Sequence, residues 1–207
     1  MLPYAYRYVE GAGAAAKFSS VRDIKFLSPT ELISLDRDNH CLRLVNFTKS
    51  PPETSTFAGK CTVNVEAYGH RLETARLILP DILAADSFNP SVFVYDSYRD
   101  LVMINLTTDE LTKIHTFAHP VTDMRFFRDG VLHFIQPYQV LSFNINSKEV
   151  NVIAGYGSGK ATGLFEFTRF YNLFGLLTWT YSGEEVLLVA DRDNDRLFIC
   201  FSTFFSF

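Results

Sequence analysis

The chain has 207 residues, of which 47% are hydrophobic and 15% aromatic, and it carries a formal net charge of -4 with a pI near 5.7. This apolar content is ample to bury a core and excludes an intrinsically disordered chain. None of the 19 basic residues forms a run. Because phosphate backbones are bound by clustered Lys and Arg, we expect no nucleic-acid partner.

Neither end of the sequence has a targeting or membrane-spanning pattern. The opening stretch MLPYAYRYVEGAGAAAKF lacks a basic segment followed by an apolar one, so we expect no signal peptide in this chain. The closing stretch LFICFSTFFSF is apolar but much shorter than the roughly 18–20 residues needed to span a bilayer. We therefore expect no membrane segment.

Four partial copies of one strand pattern follow one another along the chain. The first copy contains VRDIKF, ELISLDRDNHCLRLV and TSTFAGKC, and the second contains LPDILAAD, SVFVYDSYRDLVMINL and IHTFAHP. The third is eroded, with VTDMRFF, GVLHFI, QVLSFNI and VNVIAG, and the fourth has FTRFYNLFGLLTW and EVLLVADRDNDRLFICF. Polar and apolar residues alternate as in strands, and no helical period is sustained. The copies predict an all-β chain with blades at 14–61, 75–118, 119–155 and 164–207, the last incomplete.

One short motif occurs almost unchanged in the first and fourth copies, as DRDNHCLRL from Asp36 and as DRDNDRLFI from Asp191. It lies between the second and third strands of its copy, where Asp and Asn side chains bond backbone amides and tolerate left-handed conformations. We interpret Asp36, Asn39, Asp191 and Asn194 as turn residues that recur because the blades recur.

The segments LISLDRDNHCLRLVN, TSTFAGKC and VLLVADRDNDRLFIC resemble the NHL-repeat family, and the resemblance extends over nearly the whole chain. It implies a β-propeller of four-stranded antiparallel blades, of which the family usually has six. About three and a half blades are recognisable here. The resemblance therefore favours an incomplete six-bladed ring, a piece of a longer propeller; the alternative is closure as four blades.

Two cysteines fall at opposing positions of a predicted hairpin. If the third and fourth strands of the first copy turn near Pro51, Cys41 and Cys61 lie across from each other, within reach of a disulfide. The alternative is two free buried thiols. A disulfide would indicate an oxidising compartment. Cys200 is left over, as a buried small side chain or as half of a bond whose partner lies elsewhere.

The sequence also contains two N-glycosylation sequons, Asn46-Phe47-Thr48 and Asn105-Leu106-Thr107, at equivalent hairpin loops. In a secreted protein both would be glycan acceptors. The alternative is that Asn and Thr recur simply because they form turns well.

Acidic or amide residues stand next to the first strand of each copy, at Asp23, Asp81, Asp123 and Asn172. First strands of blades line a propeller's channel, so we predict an arc of carboxylates at one mouth, with Ca²⁺ as the cation that oxygen ligands favour. The alternative is a turn position at which Asp or Asn accepts a positive φ.

The sequence shows no catalytic constellation, since it has neither a nucleophile elbow nor paired Cys-x-x-Cys ligands. We therefore predict a non-catalytic propeller module of an extracellular or lumenal protein, binding a protein or glycan partner. One alternative is a metal-dependent enzyme resembling the propeller lyases or lactonases. The other is an RNA-binding NHL domain.

Overall fold

The fold is seen in a computed structural model that describes residues 8–86, 89–126, 130–155, 157–159, 168–182 and 184–201. Seventeen strands in this part of the chain form four antiparallel sheets. Within the described ranges, no helix combines the length and the apolarity needed to cross a membrane.

Each sheet contains a meander of three or four successive strands that pair side by side. The first sheet contains β1 (Gly11–Ala12), β2 (Val21–Ser28), β3 (Glu31–Asp36), β4 (Cys41–Asn46) and β5 (Glu53–Ala58). The second contains β6 (Gly69–His70), β7 (Ile82–Ala85), β8 (Ser91–Asp96), β9 (Asp100–Asn105) and β10 (Glu110–Thr116). The third contains β11 (Asp123–Phe126), β12 (Val131–Gln136), β13 (Gln139–Asn144) and β14 (Val150–Ala154). The fourth contains β15 (Leu173–Tyr181), β16 (Glu184–Asp191) and β17 (Arg196–Phe201).

The meander is the blade of a β-propeller, and it confirms the all-β fold class predicted from the repeats. One detail was not predicted. The first two sheets each gain a fifth strand of two residues, β1 or β6, which pairs with the fourth strand of the blade. Both lie before the predicted blade starts, because short segments rich in Gly give no alternation to read.

The chain divides into two compact units, the first holding the first and second sheets and the second holding the third and fourth. In the first unit the facing sides of the two sheets form one buried apolar cluster, to which Ile33, Leu35, Leu83 and Val94 belong. In the second unit the corresponding cluster includes Ile135, Val140, Leu176, Leu187 and Val189. Since burial of apolar area is the main stabilising term, these two interfaces hold each pair of sheets together.

Candidate functional site

All four second strands end in a buried polar residue. These residues are Asp36, Asp96, Gln136 and Asp191, and each is at most 7% exposed. Each side chain bonds the backbone of the loop that enters the first strand of its own blade. Asp36 accepts from Ser19 N at 2.6 Å, Asp96 from Leu79 N at 2.8 Å and Asp191 from Tyr171 N at 2.9 Å, while Gln136 donates to His119 O at 3.2 Å.

The repeated motif gives the first and fourth blades the same turn. A 3₁₀ turn, Arg37–Asn39 or Arg192–Asn194, is followed by a residue in the left-handed conformation, His40 or Asp195. The Asn side chain of the turn donates to the carboxylate of the preceding strand at 2.8 Å in both blades. The structure therefore confirms that the repeated Asp and Asn residues shape turns.

A buried arginine completes the network of the first blade. Arg43 is fully buried and donates to Asp36 Oδ2 at 3.2 Å, and its guanidinium lies over the rings of Tyr8 and Phe18. Burial raises the pKa of the Asp36 carboxyl, an effect that the hydrogen bonds from Asn39 and the nearby Arg43 oppose. In the fourth blade Arg196 donates to Asp191 Oδ2 at 2.8 Å from a different position, since Arg196 pairs with Asp191 as Cys41 pairs with Asp36.

Asp23 and Asp123 occupy equivalent places in the first and third sheets. Ile24 pairs with Ser34, two residues before Asp36, and Met124 pairs with Phe134, two residues before Gln136. Asp23 precedes Ile24, and Asp123 precedes Met124. In each pair the Oδ1 atom of the aspartate accepts the backbone N–H of the following residue at 2.8 Å.

The other oxygen of each carboxylate reaches the next sheet of the same unit. Asp23 Oδ2 accepts from Leu83 N at 3.0 Å, and Asp123 Oδ2 accepts from Leu176 N at 2.8 Å. A basic side chain two residues on, Lys25 or Arg125, pairs with Oδ1. These two carboxylates therefore tie neighbouring blades together.

Asp81 and Asn172 lie elsewhere, which corrects the predicted equivalence of the four residues. By register, Asp23 corresponds to Ile82 in the second sheet and to Gly175 in the fourth. The offset arises because the pairing of β2 and of β15 shifts at their beginnings, which residue counting cannot reveal.

The two displaced residues make different contacts. Asp81 forms ion pairs with Arg22 and Arg37 at 3.3 and 3.4 Å. Asn172 has φ 71°, as the turn alternative required. No group of three or more His, Cys, Asp or Glu side chains that could hold a metal occurs among the residues described. The Ca²⁺ site stays a prediction from the sequence.

The disulfide Cys41–Cys61 is present, with a Cα–Cα distance of 5.0 Å. Its geometry differs from the cross-strand pair that was expected, because β5 ends at Ala58 and Cys61 lies in the turn that follows. Gly59 makes this turn with φ 82°, and a Cβ there would lie 3.2 Å from His40 O. A glycine at position 59 therefore lets the chain turn back so that Cys61 reaches Cys41. Cys200 lies in β17, and its thiol is outside the described side chains.

The two sequon asparagines end the third strands of their blades. Asn46 Oδ1 accepts from Thr48 N at 2.9 Å, and Asn105 Oδ1 accepts from Thr107 N at 2.9 Å. Asn144 ends the third strand of the third blade and accepts from Asn146 N at 2.9 Å, although no sequon is present there. The turn itself explains the recurrence of Asn, and glycosylation stays a prediction.

A pocket of about 340 Å³ opens at one end of the third sheet. Its lining residues come from the loop before β11, the turn between β12 and β13, and the loop after β14: His119, Pro120, Gln136, Pro137, Tyr138, Gln139 and Gly157. In a meander these three connections lie at the same end of the blade, so the topology itself builds the pocket. Its walls are largely apolar, and none of the described lining residues is Asp, Glu, Lys or Arg.

An exposed tyrosine, Tyr138, lines this pocket, and a second, Tyr171, lies next to it. Their rings are 6.4 Å apart, and the two residues are 44% and 49% exposed. The hydrogen bond from Tyr171 N to Asp191 fixes the backbone of Tyr171, so the repeated motif of the fourth blade also shapes this site. Gly155 closes the turn behind Tyr138, since a Cβ at this position would collide with Tyr138 O.

Sequence reasoning missed the pocket. Its lining residues are separated by up to 38 positions and share no motif, and one of them, Gly157, lies in a segment that reads only as a loop. The signal that was available is the turn of the third blade, Pro137-Tyr138, which replaces the Asp-Arg-Asp-Asn motif of other blades with a proline and an exposed aromatic.

Comparison with known proteins finds similarity in structure. No family model matches the chain, and no curated protein matches it in sequence. An auxiliary nutrient binding protein from Bacteroides thetaiotaomicron matches 96% of the chain with a TM-score of 0.53 at 13% identity, and the match covers 59% of that protein's chain. Saccharomyces cerevisiae Sqt1 matches 88% with a TM-score of 0.57 at 8% identity, over 45% of its chain.

The computationally designed Ika4 protein also resembles the chain, with a TM-score of 0.51 and 8% identity; the match covers 88% of this chain and 91% of Ika4.

The chain spans about three fifths of the length of the nutrient binding protein that it matches. At these identities the likeness establishes the fold only. With four antiparallel blade sheets and these structural neighbours, the chain has a β-propeller fold.

Proposed function

We propose that the chain is a non-catalytic, NHL-like propeller module of an extracellular or lumenal protein, and that it binds a protein partner. The pocket beside Tyr138 and Tyr171 carries this proposal. Exposed tyrosines beside a concave apolar surface are typical of protein-binding hot spots, because they bury a large area at small cost in conformational entropy.

The chemistry of the pocket favours an apolar or aromatic side chain of a polypeptide as the inserted group. Two prolines, a tyrosine and a glycine line the pocket, and the Gln136 amide is engaged with His119 O. A sugar would need several polar partners to replace its hydration, and apart from Gln136 and the Tyr138 hydroxyl these walls offer only the side chains of His119 and Gln139. The pocket volume of about 340 Å³ accommodates a group of side-chain size.

The Cys41–Cys61 disulfide supports the proposed location, because such bonds persist in oxidising compartments. The structural neighbours include a nutrient binding protein of a bacterium, which agrees with a binding role for this fold. The neighbour's own ligand is not carried over.

A displayed library of random peptides and a panel of immobilised glycans would test the proposal together. We expect peptides with an aromatic or large aliphatic residue to be selected. Their affinity should fall at least about tenfold in Tyr138→Ala, the loss typical of a central aromatic contact. Tyr68→Ala, which removes a 38%-exposed tyrosine of the other unit, is the matched control and should bind as wild type.

Two results would overturn the assignment. Selected peptides that bind Tyr138→Ala as well as wild type would place the partner elsewhere. Glycan binding that depends on Tyr138, with no peptide selected, would replace the protein partner with a carbohydrate.

A further inference from the structure

The pocket of the third sheet together with Tyr171 forms a surface that we call the tyrosine site. Polypeptides are bound at such surfaces in a few recurring ways: through a charged group, as an added strand, as a helix in a groove, or as a polyproline II helix on aromatic side chains. The chemistry and the topology of the tyrosine site distinguish among these four.

The side chains of the tyrosine site do not match a charged group. None of the described lining residues is Asp, Glu, Lys or Arg. Phosphates and terminal carboxylates are bound by arginine and lysine side chains or by clustered backbone N–H groups, and a terminal amine by carboxylates. A charge that entered these largely apolar walls would lose its hydration and gain no ion pair. The complementary segment is therefore uncharged where it contacts the site.

The site offers no sheet edge to an added strand. Its central turn joins β12 to β13, which are the two inner strands of the third sheet and are paired on both sides. Two of the lining residues, Pro120 and Pro137, also have no backbone N–H with which to extend a ladder. Because strand addition gains its affinity from main-chain hydrogen bonds, it does not suit this surface.

A helix also fits the site poorly. An amphipathic helix is anchored at positions i, i+3 or i+4, and i+7, which are spread over about 10 Å along its axis. Such a partner needs three apolar positions in line. The residues described here offer one pocket of about 340 Å³, with the ring of Tyr171 beside it.

The two tyrosines match the remaining way of binding. Their rings are 6.4 Å apart and both are partly exposed. A polyproline II helix rises about 3.1 Å per residue, so the two rings are separated by the length of about two residues and can each contact a different one. Segments rich in proline dock on aromatic surfaces of this kind, and they lose little conformational entropy because they are extended before binding.

We propose, on the basis of the binding role proposed above, that the partner segment is rich in proline and binds the tyrosine site as a polyproline II helix. Its prolines stack on Tyr138 and Tyr171, and one large apolar side chain enters the pocket. A polyproline II helix makes no internal hydrogen bonds, so its carbonyl groups remain available as acceptors. The side-chain amide of Gln139, which lines the pocket, is a donor that can reach one of them.

Two immobilised libraries of short peptides would test this with the full chain. In both libraries one position is leucine, phenylalanine or tryptophan. The other positions are drawn from proline, alanine and serine in the first library, and from alanine and serine alone in the second. Binding would be measured for wild type, Tyr138→Ala and Tyr171→Ala, with Tyr68→Ala as the control in the other unit. Circular dichroism would confirm that each variant folds.

We expect binders from the first library that lose at least about tenfold in affinity when their prolines are replaced by alanine. The sensitive positions should recur every third residue, because residues about three apart share one face of a polyproline II helix. Tyr171→Ala should weaken these peptides by a similar factor and should weaken their alanine versions much less. Tyr68→Ala should bind as wild type does.

Three results would overturn the inference. Equal binding from both libraries, still weakened by Tyr138→Ala, would exclude a proline-rich partner and leave the protein-binding role in place. Proline peptides that bind Tyr171→Ala as tightly as wild type would exclude stacking on this ring. Binding from neither library would remove the proposed function itself and the inference with it. The comparison of the two libraries on wild type requires no variant, so it decides the matter even if Tyr171→Ala fails to fold.

Discussion

The carboxylate of Asp23 accepts the backbone N–H of Leu83 at 3.0 Å, and thereby joins the first strand of one blade to the first strand of the next. Asp123 and Leu176 repeat the contact in the second unit. A carboxylate that accepts a backbone N–H from each of two blades holds the two first strands at a defined distance and also contributes to the stability of the interface. The interfaces are therefore held by apolar burial together with one directional bond at this strand position.

Removing this bond should destabilise the first unit. Asp23→Ala leaves the N–H of Leu83 without its acceptor and should cost about 1–3 kcal/mol. Asp81→Ala removes only partly exposed ion pairs and should cost at most about 1 kcal/mol. Urea unfolding of both variants measures the difference. Equal costs would show that the bond between the blades contributes nothing specific.

Loss of the Cys41–Cys61 disulfide should also lower the free energy of unfolding. The bond closes a loop between residues 20 apart in sequence, and such loops stabilise by about 3 kcal/mol through the unfolded state. A Cys41→Ser/Cys61→Ser double variant should therefore unfold at lower urea concentration, and a reductant should shift wild type but leave the double variant unchanged. A midpoint for wild type that the reductant does not move would contradict the stabilising role.

Buried His133 should make the protein sensitive to acid. Burial lowers the pKa of its imidazole to about 3, from 6.5 in the unfolded chain. Between these values the unfolded chain binds a proton that the folded chain does not. Stability should therefore fall as the pH drops below 6.5, by at most about 1.4 kcal/mol per pH unit from this group. His133→Gln should show a shallower slope in urea unfolding at pH 7, 6, 5 and 4. Parallel slopes would exclude His133 as the origin.

Glycosylation of Asn46 can be tested independently of the role of this residue in the turn. Thr48→Ala destroys the sequon but keeps Asn46, whereas Thr48→Ser keeps both. From a secreting eukaryotic host we expect Thr48→Ala to lose the mass of one glycan and Thr48→Ser to retain it, and the same substitutions of Thr107 to report on Asn105. Intact-mass spectrometry before and after enzymatic deglycosylation provides the readout. Identical masses for wild type and Thr48→Ala would show that Asn46 carries no glycan and serves only to form the turn.

The fold was readable because its rules are local. Strand alternation and the Asp-Arg-Asp-Asn turn act over a few residues, so Asp36 and Asp191 could be assigned to turns from the sequence. The disulfide was predicted for a similar reason, although the chain reaches Cys41 through a turn at Gly59 and not through a direct cross-strand pair.

The candidate sites were harder, because they depend on register and on distant loops. Asp23 and Asp81 look equivalent in sequence, yet a shift in strand pairing separates their roles. Tyr138 and Tyr171 come together across two blades, and no local pattern connects them.

The contacts that close the first blade have a consequence for folding during translation. The pairing of β1 with β5, the packing of Arg43 between Tyr8 and Phe18, and the bond to Cys61 all involve residues between 8 and 61. A ribosome therefore delivers every participant before it has made the first strand of the second meander, β7. The nascent chain can therefore close and oxidise its first blade early, before Cys200 has been made and could compete for either cysteine.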